Sequence, residues 1–255
     1  MEERRPLIAG NWKMHGHHRE GVALAGAMAE KVASYQSTHG LLHLDLLICP
    51  PATLLREITE TLAESVIAVG GQDCHELESG AHTGDVSAAM LKDAGCSYVI
   101  VGHSERRTGH GESNDQVKAK AVAARACGLT AIICIGETRE QRGRGEAMAI
   151  VNSQLAGSLP DDATALNTVI AYEPVWAIGT GLAATVEDVA EIHAGIRAWL
   201  VKALSDSHAM LILYGGSAKP ENAKELMKLE DVDGALVGGA SLDADDFWAI
   251  AEACL

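Results

Sequence analysis

The chain has 255 residues, 47% of them hydrophobic and 22% charged, and carries a formal net charge of −15. A chain of this length can bury a complete core, and α/β barrels of this size commonly stay undivided, so residues 1–255 are expected to form one domain. The charge argues against a nucleic-acid backbone or an anionic membrane as partner, and an anionic substrate would need a local cationic cluster to offset it.

Taken in chain order, short apolar runs alternate with helical segments. The first run, "PLIAGN", ends on Asn11 and leads into Lys13 within "AGNWKMH". A helix over Arg19–Tyr35 follows, with an Ala-rich face and a charged face. Runs two and three are "LDLLIC" and "SVIAVGG". The fourth, "SYVIVG", ends just before His103, and "SERR" after it can open a short helix. Helix Asn114–Cys127 precedes run five, "LTAIICIG", and Glu146–Leu155 precedes run six, "NTVIAYE", which closes on Glu173. Helix Glu187–Leu204 leads to run seven, "AMLILYGG", followed by Ser217. Helix Glu221–Leu229 leads to run eight, "GALVGG", which ends on Gly238 and Gly239.

None of these runs alternates strictly, which suits strands buried on both faces of a parallel sheet. Eight such units, with no linker or low-complexity segment between them, point to a closed (β/α)8 barrel of eight parallel strands ringed by helices. A doubly wound open sheet is the alternative. In a barrel the chemistry gathers at the carboxyl ends of the strands, so Asn11, Lys13, His103, Glu173, Ser217, Gly238 and Gly239 are expected at one mouth.

Read singly, each residue leaves two possibilities open. Glu173 is a general base on a well-fixed backbone, restricted by Pro174, or a surface glutamate before a turn. His103, at a helix N-terminus where positive potential disfavours imidazolium, is a neutral hydrogen-bond donor or an ordinary loop histidine. Lys13, with Glu105 as partner, supplies the missing positive charge or is merely exposed. The glycines let a backbone approach a phosphate closely, with the short helix after "GGASL" aiming its N–H groups, or they only make tight turns.

Other features are expected to be structural. His15, His17 and His18 in "MHGHH" read as a solvated helix start and not as a metal site. Six cysteines include no CxxC pair, which fits reduced, mostly buried thiols in a cytoplasmic protein. Cys134 reads as inert, and Glu137 as structural. No signal peptide, membrane span or nucleotide-binding loop is expected.

Together, "AGNWKM", "GAHTGDVSAAML", "VIVGHSERR", "CIGE", "AYEPVWAIGTG", "YGGS" and "DGALVGGAS" resemble the triosephosphate isomerase family, in that family's order and over essentially the whole chain. The resemblance implies a TIM barrel that interconverts dihydroxyacetone phosphate and D-glyceraldehyde 3-phosphate through an enediolate, in glycolysis and gluconeogenesis, without cofactor or metal. By position, Glu173 matches the family's base and His103 its neutral electrophile, an arrangement for which this family is itself the standard illustration. Asn11 and Lys13 match its substrate-binding pair. Gly179, Ser217, Gly238 and Gly239 match its phosphate-binding main chain, and Pro174 to Ala184 its mobile lid. The implied assembly is a homodimer in which Thr83 reaches the partner near Asn11 and Glu105. The sequence departs from the family pattern at His15, Asp73 and His82, and at Leu182, Ala183 and Ala184 in the far hinge of the lid. Two other readings are an isomerase of a related tetrulose phosphate and a non-catalytic barrel that binds a sugar phosphate.

Overall fold

A computed structural model describes residues 4–178, 184–204 and 206–255. Eight parallel strands close into a barrel in sequential order: β1 Leu7–Asn11, β2 Asp45–Cys49, β3 Ala68–Gly71, β4 Tyr98–Val101, β5 Thr130–Ile135, β6 Thr168–Tyr172, β7 Ile212–Tyr214 and β8 Gly234–Val237. Leu7 pairs with Asp45 of β2 on one side and Gly234 of β8 on the other, which seals the ring and rules out the open sheet.

The apolar runs lack alternation because both faces of each strand are covered. Within β1, Leu7 and Ala9 join an inner cluster with Leu47, Cys49, Ile132 and Cys134, whereas Ile8 packs outward with the helices. The inner cluster draws on seven of the strands, so the barrel centre is a packed core. Small residues at its upper inner positions, Cys49, Cys134 and Ala171, leave room above them for a mouth.

Ten α-helices appear among the described residues. The five expected ones are α1 His18–His39, α5 Asn114–Ala126, α7 Ala147–Ser158, α8 Val186–Ala203 and α9 Pro220–Leu226. Their ends shift where capping decides the boundary. The Ser113 hydroxyl accepts the Gln116 N–H at 3.2 Å and starts α5, and Thr185 accepts the Asp188 N–H at 3.1 Å and starts α8. The short "SERR" helix is α4, Ser104–Gly109. The short helix expected after "GGASL" is α10, Ala244–Glu252, and three more short helices were not foreseen: α2 Leu55–Thr61, α3 Ala88–Asp93 and α6 Arg139–Gly143.

Candidate active site

The carboxyl ends of the strands open onto a cavity of about 610 Å³. Asn11, Lys13, His103, Glu105, Glu173, Ser217, Gly238 and Gly239 all line it, though they come from five different strands and the loops after them. Of the expected site residues, Gly179 lies outside the described residues, as do Leu182 and Ala183. Thr83 does not join the cavity. It is exposed at the tip of the loop between β3 and α3.

Glu173 follows directly on β6, one residue beyond the strand's last, and its N–H still donates to the Ile135 carbonyl at 2.7 Å. Its carboxylate is buried. One oxygen accepts the Ser104 N–H at 2.8 Å, and the other lies 2.8 Å from His103 Nε2. Gly136, at the end of β5, makes this possible: a Cβ there would fall 1.7 Å from the Glu173 carbonyl oxygen. The glycine is therefore what lets the two strand ends lie together.

His103 caps α4. Its Nδ1 accepts the Glu105 N–H at 3.2 Å, which leaves the ring proton of the neutral form on Nε2, the nitrogen nearest Glu173, although Glu173 Oε1 makes no aligned hydrogen bond to it. The helix N-terminus disfavours imidazolium, and the carboxylate beside the ring acts in the opposite sense. Burial does pull the imidazole pKa down, but the Glu173 carboxylate beside it outweighs burial, and the net shift is upward.

Lys13 has φ +52°, the one left-handed non-glycine residue among those described. The strain is held from both sides. Its N–H donates to Asn11 Oδ1 at 3.0 Å, and its carbonyl accepts from Gln72 Nε2 at 2.8 Å. The ammonium pairs with Glu105, as expected from sequence. Glu105's pKa is lowered: burial alone would raise it, but Lys13 and the nearby His103 overcome that.

At the far end of the cavity the glycine turn lies on the lining, and the helix expected after "GGASL" follows it as α10. The turn is "GASL" itself, a short 3-10 segment over Gly239–Leu242. The helix that follows, α10, has its first N–H groups taken by the Asp243 carboxylate, at 2.9 Å from Asp245 and 3.0 Å from Asp246. Those two N–H groups are thereby satisfied within the chain.

Sequence reasoning passed lightly over Glu137. It is fully buried and accepts from the Tyr172 hydroxyl at 3.1 Å, Trp176 Nε1 at 2.8 Å and Arg142 Nη1 at 3.3 Å. It thereby ties the segment just after Glu173 to the end of β5. The signal was present in "CIGE", but its partners come from elements too distant to read. Cys134 is buried beneath Glu173, and burial, reinforced by that carboxylate, raises its thiol pKa well above the ordinary value, as suits an inert thiol.

His15, His17 and His18 are exposed at the start of α1. A different cluster, not foreseen, gathers His75, His82 and Asp85 with ligand atoms within 4.8 Å of one another. The Leu77 N–H donates to His75 Nδ1 at 3.0 Å, which puts that ring's proton on Nε2, toward Asp85. As it stands the cluster braces its own loop and does not present three free donors. Asp73, another departure from the family pattern, is paired with Lys120 at 2.8 Å and Arg106 at 2.9 Å.

Residues 6–254 match the family model described as triosephosphate isomerase. The chain is 56% identical over 253 residues to the triosephosphate isomerase of Chelativorans sp. (strain BNC1), covering 98% of this chain and 96% of that one. It is 57% identical over 247 residues to that of Rhizobium meliloti (strain 1021), covering 96% and 94%. A crystal structure of triosephosphate isomerase from Bartonella henselae superposes with a TM-score of 0.90 at 47% identity, covering 98% of each chain.

Proposed function

The chain belongs to the triosephosphate isomerase family and interconverts dihydroxyacetone phosphate and D-glyceraldehyde 3-phosphate, and from that premise we propose how its residues divide the work. Glu173 is the base. It takes a proton from the carbon beside the carbonyl and returns it to the neighbouring carbon. His103 Nε2–H and the Lys13 ammonium stabilise the oxygen that becomes negative, and Asn11 holds the same end of the substrate. Main-chain N–H groups at Ser217, Gly238 and Gly239, with Gly179, hold the phosphate. The proton moves between two carbons with no net redox change, so these residues need no cofactor for the step.

The single observation that carries this reading is the convergence of Glu173, His103 and Lys13 on one cavity. Magnitude explains why three groups are needed. A positioned base supplies about 10²–10⁴-fold, and one aimed oxyanion donor about 3–4 kcal/mol more, which together suit an acid as weak as a carbon beside a carbonyl. In the resting arrangement the carboxylate faces Ser104 and His103, so it has to swing toward the substrate. That swing also removes the counter-charge from His103 and favours the neutral imidazole as donor. Segment 174–184 closes over the substrate and keeps water from the enediolate.

The reading extends to the whole chain: one domain over 1–255, cytoplasmic, acting in glycolysis and gluconeogenesis, and with no nucleic-acid or membrane partner. Six free cysteines, most of them buried, support a reducing compartment. No described helix is long and apolar enough to cross a membrane. A homodimer is supported by a second groove of about 390 Å³, lined by Lys13, Met14, Glu105 and the Gly84–Val86 stretch next to Thr83. The partner's Thr83 loop would fill it. The two alternative readings, a tetrulose-phosphate isomerase and a non-catalytic binder, have no observation in their favour.

The test is Glu173→Asp, which keeps the charge and withdraws the carboxylate by a methylene. The expected loss in kcat is at least about 10²-fold, from a misplacement of roughly 1 Å. A coupled assay on purified protein measures it, and unchanged turnover would refute the assignment.

A further inference from the structure

We propose that Arg107 is a positioning residue for His103, a role that rests on the reading of His103 as the electrophile. Arg107 lies in α4, and its main-chain N–H donates to the His103 carbonyl at 3.0 Å. Its side-chain Nε donates to the Gly102 carbonyl at 2.8 Å. One residue therefore grips the peptide group on each side of the His103 Cα.

The rest of the guanidinium is anchored to the barrel. Nη1 donates to Asn114 Oδ1 at 2.8 Å, and Nη2 donates to the Cys134 carbonyl and to Ser158 Oγ, each at 3.1 Å. Asn114 opens α5, Ser158 closes α7, and Cys134 is near the end of β5. Three elements of the barrel thus fix the guanidinium, and the guanidinium fixes the turn that carries the imidazole. A planar fork suits this task, because it reaches several carbonyls at once in a set geometry.

Gly102 cannot do the same work. It has φ +67°, and a Cβ there would meet Val117 at 2.7 Å, so the turn has no side chain of its own to brace it. The ring itself has two contacts, the Glu105 N–H at Nδ1 and Glu173 at Nε2. The second is given up when Glu173 swings to the substrate. From that point the aim of Nε2–H depends on the backbone that Arg107 holds. A group that acts on the developing oxyanion should show in kcat more than in KM.

The experiment is a double-mutant cycle in the full-length enzyme. Arg107→Met keeps the aliphatic bulk and removes every side-chain donor, and Arg107→Lys keeps one. Each is made in wild type and in His103→Gln, with folded fraction checked by circular dichroism and thermal melting. Arg107→Met is expected to lower kcat by about 10- to 100-fold in wild type while KM moves less than about threefold, Arg107→Lys recovering part of the loss. In the His103→Gln background the same change should alter kcat by less than about threefold, since the residue it positions is gone. Equal losses in both backgrounds would overturn the proposal and leave Arg107 a purely structural residue. If Arg107→Met does not fold, the Arg107→Lys cycle decides by the same comparison, joined by the ¹⁵N imidazole resonances of His103. Those should shift in Arg107→Lys, and unshifted resonances would overturn the proposal. A His103→Gln enzyme with full kcat is a separate outcome: it would overturn the reading of His103 first, and with it any positioning role toward that residue.

Discussion

In the proposed mechanism Glu173 has to release two partners before it touches a substrate carbon: the Ser104 N–H and the edge of His103. The second contact bears on the ionisation of the imidazole. His103 has its pKa raised above its ordinary value of 6.5, with burial opposing and the Glu173 carboxylate prevailing. A raised histidine pKa contributes stability that is fully present below the unfolded value and lost as pH rises through the folded one. Glu173→Gln removes the carboxylate and so should lower the imidazole's titration midpoint, which NMR can follow. The melting-temperature gap between wild type and this variant should be wider near about pH 6 than near about pH 9. A gap that does not change with pH would mean that the pair adds nothing to stability. At this scale the gathering of Asn11, Lys13, His103 and Glu173 at one cavity was legible, because each sits in a specific local motif at a strand end. The residues that hold them were not. Gln72 reaches the Lys13 carbonyl, and Arg107 the Cys134 carbonyl, across contacts that only the closed barrel creates.

Elements succeed or fail at this site by how closely their ends approach. The carboxyl ends of β5 and β6 lie so near that Gly136 has no room for a side chain beside the Glu173 carbonyl. Gly136→Ala should push Glu173 out of register, lowering kcat by at least about 10²-fold and lowering the melting temperature as well. Steady-state kinetics with a thermal melt would test both, and an alanine variant with wild-type kcat would show that the strand ends can separate at no catalytic expense. The strands themselves were readable, since a short apolar run without alternation has few other uses in a chain of alternating segments. The termini of α1 and α7 were less so, because capping contacts and tertiary packing set them. Asp243 likewise takes two of the first N–H groups of α10, a cap set locally, and the glycine turn before it lines the cavity.

For the molecule as a whole, a net charge of −15 has to coexist with an anionic substrate. The cavity answers locally, with Lys13 held over it in a left-handed backbone by Asn11 and Gln72. That same lysine borders the second groove, so the proposed dimer contact and the candidate active site share a wall. Met14 is 94% exposed in the isolated chain and lines that groove. Burying such a side chain against a partner contributes about 1.5–3 kcal/mol, and replacing it by a carboxylate opposes docking. On the proposed dimer, Met14→Glu should therefore sediment as a monomer under conditions where wild type is expected to sediment as a dimer, and should lose activity on dilution. Identical sedimentation of the two would remove this face from the dimer contact. Closure of the barrel was legible from the count of eight units, because each apolar run had its own helical return.

The most direct measurement of the central claim follows the transferred proton itself. Dihydroxyacetone phosphate is turned over in D₂O by wild type and by Glu173→Gln, and deuterium at the product carbon is read by NMR. Wild type should place one deuterium there through the exchangeable proton on Glu173, and the folded glutamine variant should do so more slowly by about 10²–10⁴-fold. Deuterium entering at the wild-type rate without the carboxylate would contradict the account, because some other group would then be the base.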